Sequence, residues 1–171
     1  REASAISAAR ATFPALLAAT ARADVLHIAS HTERQAGAGD AALVFAGGTG
    51  GRGQRVSWNE IAAIRLPPST VVCLAGCETL CRPLLPQARA LSLGGGFLAA
   101  GASDVIGTLA PIEDVDARSL FGDVHRHLAA GASPAEAVRS VQLAALEAES
   151  AGRRRLAWRA LALLTRRLPQ E

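Results

Sequence analysis

Three short runs constrain this chain more than anything else in it. Asp24 to Ser30 (DVLHIAS), Thr70 to Ala75 (TVVCLA) and Asp104 to Leu109 (DVIGTL) are compact and apolar, with β-branched residues. Strands buried on both faces read this way. Helical segments lie between and after them. Ser57-Trp58-Asn59-Glu60 has capping-box spacing and opens a short helix that Pro67-Pro68 ends. Leu91 to Ala100 and residues 114–130 read as further helices. Ser133-Pro134-Ala135-Glu136 is a second capping box, with Pro at the first helical position, and starts a long helix towards Glu149. Strands alternating with helices predict an α/β fold, a parallel sheet covered on both faces. The remainder is assigned locally. Residues 2–10 and 14–23 read as short helices broken at Thr12-Phe13-Pro14, Thr32 to Asp40 as a loop, and Ala42 to Ala46 as another strand. Gly47 to Gln54 reads as a flexible turn, and Arg153 to Leu168 as a last helix.

Composition excludes several functions. The 171 residues suit one domain. Half of them are hydrophobic and only 4% aromatic, so the core must be built from Ala, Leu, Val and Ile. All 18 basic residues are Arg, and the net charge is +3. The densest run, Arg153-Arg154-Arg155 with Arg159, Arg166 and Arg167, falls in the predicted last helix. With almost no aromatic side chains to stack on bases, it reads as a solvated helix face or a protein contact, not a nucleic-acid surface. The glycines of Gly47–Gly53 lack phosphate-loop spacing, which leaves a nucleotide-binding reading little support. No run of 18 residues is apolar and uncharged, so no membrane span is expected. A chain without Met is expected to be a piece of a larger product. Three cysteines cannot all pair internally, which favours a reducing, cytoplasmic compartment.

Those cysteines are Cys73, Cys77 and Cys81, spaced by four. Zinc knuckles use tighter C-x-x-C spacing, and a thiol set crossing from strand to turn points in different directions. No metal is expected there. Cys73 lies inside a strand and reads as a small buried hydrophobe; Cys81 fits either a buried or an exposed place. Cys77 follows a Gly where a strand gives way to loop or helix, and backbone amides at such a point lower a thiol's pKa. In parallel sheets, functional groups gather beyond the carboxyl ends of strands. That brings Ser30-His31 and Gly76-Cys77 to one edge. His27, within the strand, reads as a core histidine, and His125 and His127 as surface residues on a helix. His31 is therefore the candidate base and Cys77 the candidate nucleophile.

The runs ADVLHIASH (Ala23 to His31), VVCLAGCET (Val71 to Thr79) and GGGFLAAGASDVIGTLAPIED (Gly94 to Asp114), in this order and spacing, resemble the CHAT domain, as does the following GASPAEAVRSVQ. The resemblance covers most of residues 14–146. It implies a three-layer α/β/α caspase-like fold with a mostly parallel central sheet, and the activity of a cysteine endopeptidase related to separases and gingipains. Such domains often accompany TPR repeats or other regulatory regions, and some serve bacterial defence by cutting gasdermins. By position, His31 and Cys77 match the catalytic dyad, a protein or peptide is the substrate, and no cofactor is implied. The amides of Thr32 and Cys77 match the oxyanion site, although the family usually reads His-Gly where this chain reads His31-Thr32. That departure motivates a second reading, an inactive CHAT module serving as a protein-binding scaffold. Ala110 stands where a Trp is usual. Glu78, Glu113 and Asp114 fall near the predicted edge and would favour a basic residue at the substrate's P1 position.

Overall fold

The three diagnostic runs lie side by side in one sheet. In the computed structural model, which describes residues 4–34, 41–47, 53–81, 92–150 and 156–166, β1 (Val25–Ile28) pairs in parallel with the strand Val71–Leu74, with His27 opposite Cys73. Between them come β2 (Thr32–Arg34), β3 (Ala41–Phe45), β4 (Gln54–Ser57) and α2 (Trp58–Ala62), so the Val71–Leu74 strand is β5; α1 (Phe13–Thr20) precedes all of these. After β5 follow α3 (Leu93–Ala99), β6 (Asp104–Thr108), α4 (Asp114–Ala129), α5 (Pro134–Ser150) and β7 (Leu161–Thr165). The central sheet has the order β1-β5-β6-β7, and the strands β2-β3-β4 form a separate antiparallel sheet. β1, β5 and β6 are parallel, and β7 runs antiparallel to β6. This is a mixed α/β architecture with a mostly parallel central sheet flanked by helices, consistent with a caspase-like three-layer fold.

The alternation along β5 sorts its side chains between two cores. Val72 and Leu74 join Leu26 and Ile28 of β1, Ile61 of α2 and Phe97 of α3 on one face. Cys73 joins Ile106 of β6, Phe121 and Val124 of α4, and Val138 and Val141 of α5 on the other. Phe97, Phe121, Val72 and Val124 are almost completely buried. The layers therefore follow from the period of two in each strand combined with the apolar stripes of the helices.

Both capping boxes form. The Glu60 carboxylate accepts from the Ser57 amide at 2.8 Å, and the Glu136 carboxylate accepts from the Ser133 amide at the same distance. The short helix after Ser57 stops at Ala62, ahead of Pro67-Pro68.

Four expectations are revised. Residues 8–10 form only a 3-10 turn, and the next helix starts at Phe13, capped by the Thr12 hydroxyl. Thr32 to Arg34, expected as loop, is an edge strand paired with β3. Ala41–Phe45 is a strand but lies outside the central sheet, where Gln54–Ser57 pairs with it. The last helix is replaced by a 3-10 turn, Leu156–Ala160, and by β7. Arg159 and Arg166, the described residues of the basic run, therefore do not share one helix face. Arg159 lies over the Trp158 ring, 5.4 Å from its centroid; Arg153, Arg154, Arg155 and Arg167 fall outside the described residues, as do 35–40 and most of the Gly-rich turn. Among the described residues no helix is long and apolar enough to cross a membrane.

Candidate active site

Because β1 and β5 are parallel and in register, residues of odd number on both strands face α4. His27, Ala29 and His31 follow one another along the first chain, and Cys73, Ala75 and Cys77 along the second. Beyond the strand ends this face opens into a cleft of about 500 Å³, lined among the described residues by His27, His31, Ala75, Cys77 and Ile112, with Asp114, Arg118, Phe121 and His125 of α4 as its wall. The two residues expected to form a dyad thus line one cleft.

The turn that carries Cys77 is held by two threonines, Thr32 and Thr108. The Thr32 hydroxyl donates to the Cys77 carbonyl at 2.7 Å. The buried Thr108 hydroxyl donates to the Gly76 carbonyl at 2.5 Å, and the Thr108 amide donates to the Thr79 hydroxyl at 3.0 Å. The Leu80 amide donates to the Thr108 carbonyl at 2.9 Å. Gly76 is needed for close approach, because a Cβ there would stand 2.5 Å from the Ser30 carbonyl oxygen. The left-handed residue is Glu78, with φ of 53°. Left-handed geometry in this turn therefore falls two residues after Gly76.

His31 is exposed and is anchored through its backbone. The Val44 amide donates to the His31 carbonyl at 3.2 Å, and the Ser30 hydroxyl donates to the Val44 carbonyl at 2.6 Å. This bonding makes Thr32–Leu43 a non-hydrogen-bonded pair of the β2–β3 ladder. The Thr32 amide accordingly points away from β3. Thr32 is extended and not left-handed: the only non-glycine residues with positive φ among those described are Ala8 and Glu78. Thr where the resemblance implies Gly thus causes no left-handed strain here, and its hydroxyl clamps the turn that carries Cys77.

The Cys77 thiol is half-buried and donates to the Ile112 carbonyl at 3.5 Å. No hydrogen bond joins it to His31. Of the three carboxylates expected near the site, Asp114 lines the cleft, whereas Glu78 and Glu113 are not among its lining residues. Arg118, one helical turn beyond Asp114, lines it too and was not anticipated. The spacing of four on α4 was its available signal.

Two histidines need reassignment. His27 is not enclosed in the core; it is open to the cleft and shares a 2.9 Å hydrogen bond with His125. His125 is half-buried against it, not a free surface residue. Burial, together with the neighbouring His125, lowers the His27 pKa to about 4, and burial lowers that of His125. Cys73 is fully buried as expected, and burial pushes its thiol up to about 12. The Cys81 thiol donates to the Leu109 carbonyl at 2.7 Å. All three cysteines are free thiols.

Comparison with curated proteins gives no match. The CHAT-domain family model matches residues 1–166, and with the caspase-like layers and the His–Cys cleft already seen, the chain belongs to the CHAT family.

Proposed function

We propose that this chain is a cysteine endopeptidase that hydrolyses peptide bonds of a protein substrate with Cys77 as nucleophile and His31 as base. The supporting observation is the cleft that both residues line, at the carboxyl ends of neighbouring parallel strands and on the same face of the sheet. His31 takes the thiol proton as Cys77 sulfur attacks the scissile carbonyl carbon. The resulting oxyanion is received by backbone amides of Thr32 and Cys77, the first of which is directed away from the β2–β3 ladder. His31 returns the proton to the leaving amine, and water then hydrolyses the thioester with His31 again as base. A thiol ionises readily enough that two side chains suffice. Free thiols suit the reducing, cytoplasmic setting expected from the sequence.

Asp114 is the carboxylate placed to select the substrate, by pairing with Arg or Lys at P1. Ala110, where the family usually carries a Trp, would leave room for that long side chain. Arg gains from bidentate geometry. Regulation by a TPR or other partner region, and a role in bacterial defence through cleavage of an effector such as a gasdermin, complete the proposal.

A second reading, a non-catalytic module that holds a peptide in the cleft, draws on the resting thiol. It donates to Ile112 and not to His31, so attack requires the thiol to turn. One experiment separates the two. A thiol-reactive peptide probe and a proteome-derived peptide library are presented to the purified chain and to Cys77→Ala, His31→Ala and Cys81→Ser variants. Peptidase activity predicts cleavage and labelling in the wild type and Cys81→Ser, and none in the other two. Cleavage that persists in Cys77→Ala would sink the nucleophile assignment; binding without cleavage would establish the scaffold.

A further inference from the structure

Directly beneath the proposed dyad, four residues back along both strands, the register sets another histidine opposite another cysteine. We infer that His27, Cys73 and His125 form a binding site for a transition-metal ion of the zinc class, with three protein ligands and a fourth position open to the cleft.

The ligand atoms of these three side chains all lie within 4.8 Å of one another, and they are the one such group among the described residues. Two nitrogens bound to tetrahedral zinc at 2.0–2.1 Å stand roughly 3.3–3.4 Å apart. The imidazole nitrogens of His27 and His125 are 2.9 Å apart, so the rings need to part by only a fraction of an ångström. The three ligands come from β1, β5 and α4, rigid elements that fix the site without a loop. Cys73 lies beneath, fully buried, and its thiol makes no hydrogen bond among the described residues. His27 and His125 line the cleft above it, which gives an ion its approach and leaves the remaining coordination position to water.

The donor set determines the class of ion. A thiolate with two imidazoles suits Zn²⁺ and its neighbours, and offers nothing to Ca²⁺ or Mg²⁺, which require oxygen ligands. An imidazole ligates through a neutral ring nitrogen, which each histidine offers. The thiol proton leaves to solvent as the sulfur–metal bond forms. An ion here ties α4, which carries Asp114 and Arg118, to the two strands that lead into His31 and Cys77. This site does not depend on peptidase activity.

The test uses the full, tag-free chain carrying Cys77→Ala, stripped of metal, so that the dyad cannot supply the sulfur. Titration with Co²⁺ should reach one ion per chain with a thiolate-to-cobalt charge-transfer band and the visible bands of tetrahedral cobalt. Zn²⁺ should displace the cobalt and raise the melting temperature. His27→Ala and His125→Ala should each weaken binding by more than the roughly 10–100-fold that loss of an outer-shell partner costs, and should abolish the Zn²⁺-dependent melting shift. Cys73→Ser should lose the charge-transfer band; if it does not fold, the two histidine variants carry the test alone. Absence of a thiolate band, or a band that survives both histidine substitutions, overturns the assignment.

Discussion

Thr32 shows how one side chain changes the meaning of a motif. From the sequence, its replacement of Gly motivated the reading of an inactive module. In the structure the residue is extended, and its hydroxyl donates to the carbonyl of the proposed nucleophile. Thr32→Val keeps the shape and removes the donor, leaving that carbonyl without its partner at a cost of about 1–3 kcal/mol. If the cost falls on the orientation of Cys77, kcat/KM should drop by roughly 5- to 160-fold, whereas Thr32→Ser should retain most of the activity. Equal activity in the Val and Ser variants would remove the clamp from the mechanism. His125 teaches the opposite lesson. On a helix beside Arg126 it looks like a surface group, and only the packing of α4 across β1 brings it against His27. Sequence spacing along one element carries no trace of a contact made between two.

Local chemistry made most elements legible, and non-local pairing hid the rest. The capping boxes at Ser57 and Ser133, and the β-branched runs that became β1, β5 and β6, are signals contained within a few residues. β7 is the instructive failure. Leu161-Ala162-Leu163-Leu164-Thr165 has strong helix formers, yet it pairs antiparallel with β6 along its whole length; burial against the sheet outweighs intrinsic propensity. β2 and β4 were missed for the same reason, since each is defined by β3. β6 matters beyond the sheet, because Thr108 at its end holds both Gly76 and Thr79. Thr108→Val should lower stability by about 1–3 kcal/mol in urea unfolding and lower activity more than an equally destabilising core change elsewhere, such as Val141→Ala. Matching losses would make Thr108 a packing residue only. On α4, Asp114 and Arg118 give the cleft wall both signs of charge. A positional peptide library should show a basic P1 preference that Asp114→Ala weakens and Glu113→Ala leaves unchanged. A wild-type preference for acidic P1 would assign selection to Arg118 instead.

Across the whole molecule, acid response follows from the His27–His125 pair at the cleft. His27 faces His125 from α4 and Cys73 from β5, and desolvation first, then His125, lowers its pKa to about 4. An unfolded histidine titrates near 6.5. Between these values the unfolded chain binds more protons than the folded one, so stability from this group is present above about pH 6.5 and is lost as pH falls towards 4. Metal-free protein should therefore lose melting temperature across that window, and His27→Asn should flatten the dependence there. An unchanged slope in the variant would show that the acid response arises elsewhere.

The pairing of His27 with Cys73 also bears on how such a chain can change through time. Four residues separate His27 from His31, and four separate Cys73 from Cys77, along strands whose register is fixed by their buried faces. A substitution can delete any one of these groups and leave the other three in place. Insertion or deletion of a single residue within either run turns every following side chain to the opposite face. The lower and upper pairs are therefore measured on one ruler: point changes can part them, but a slip in length erases both at a stroke.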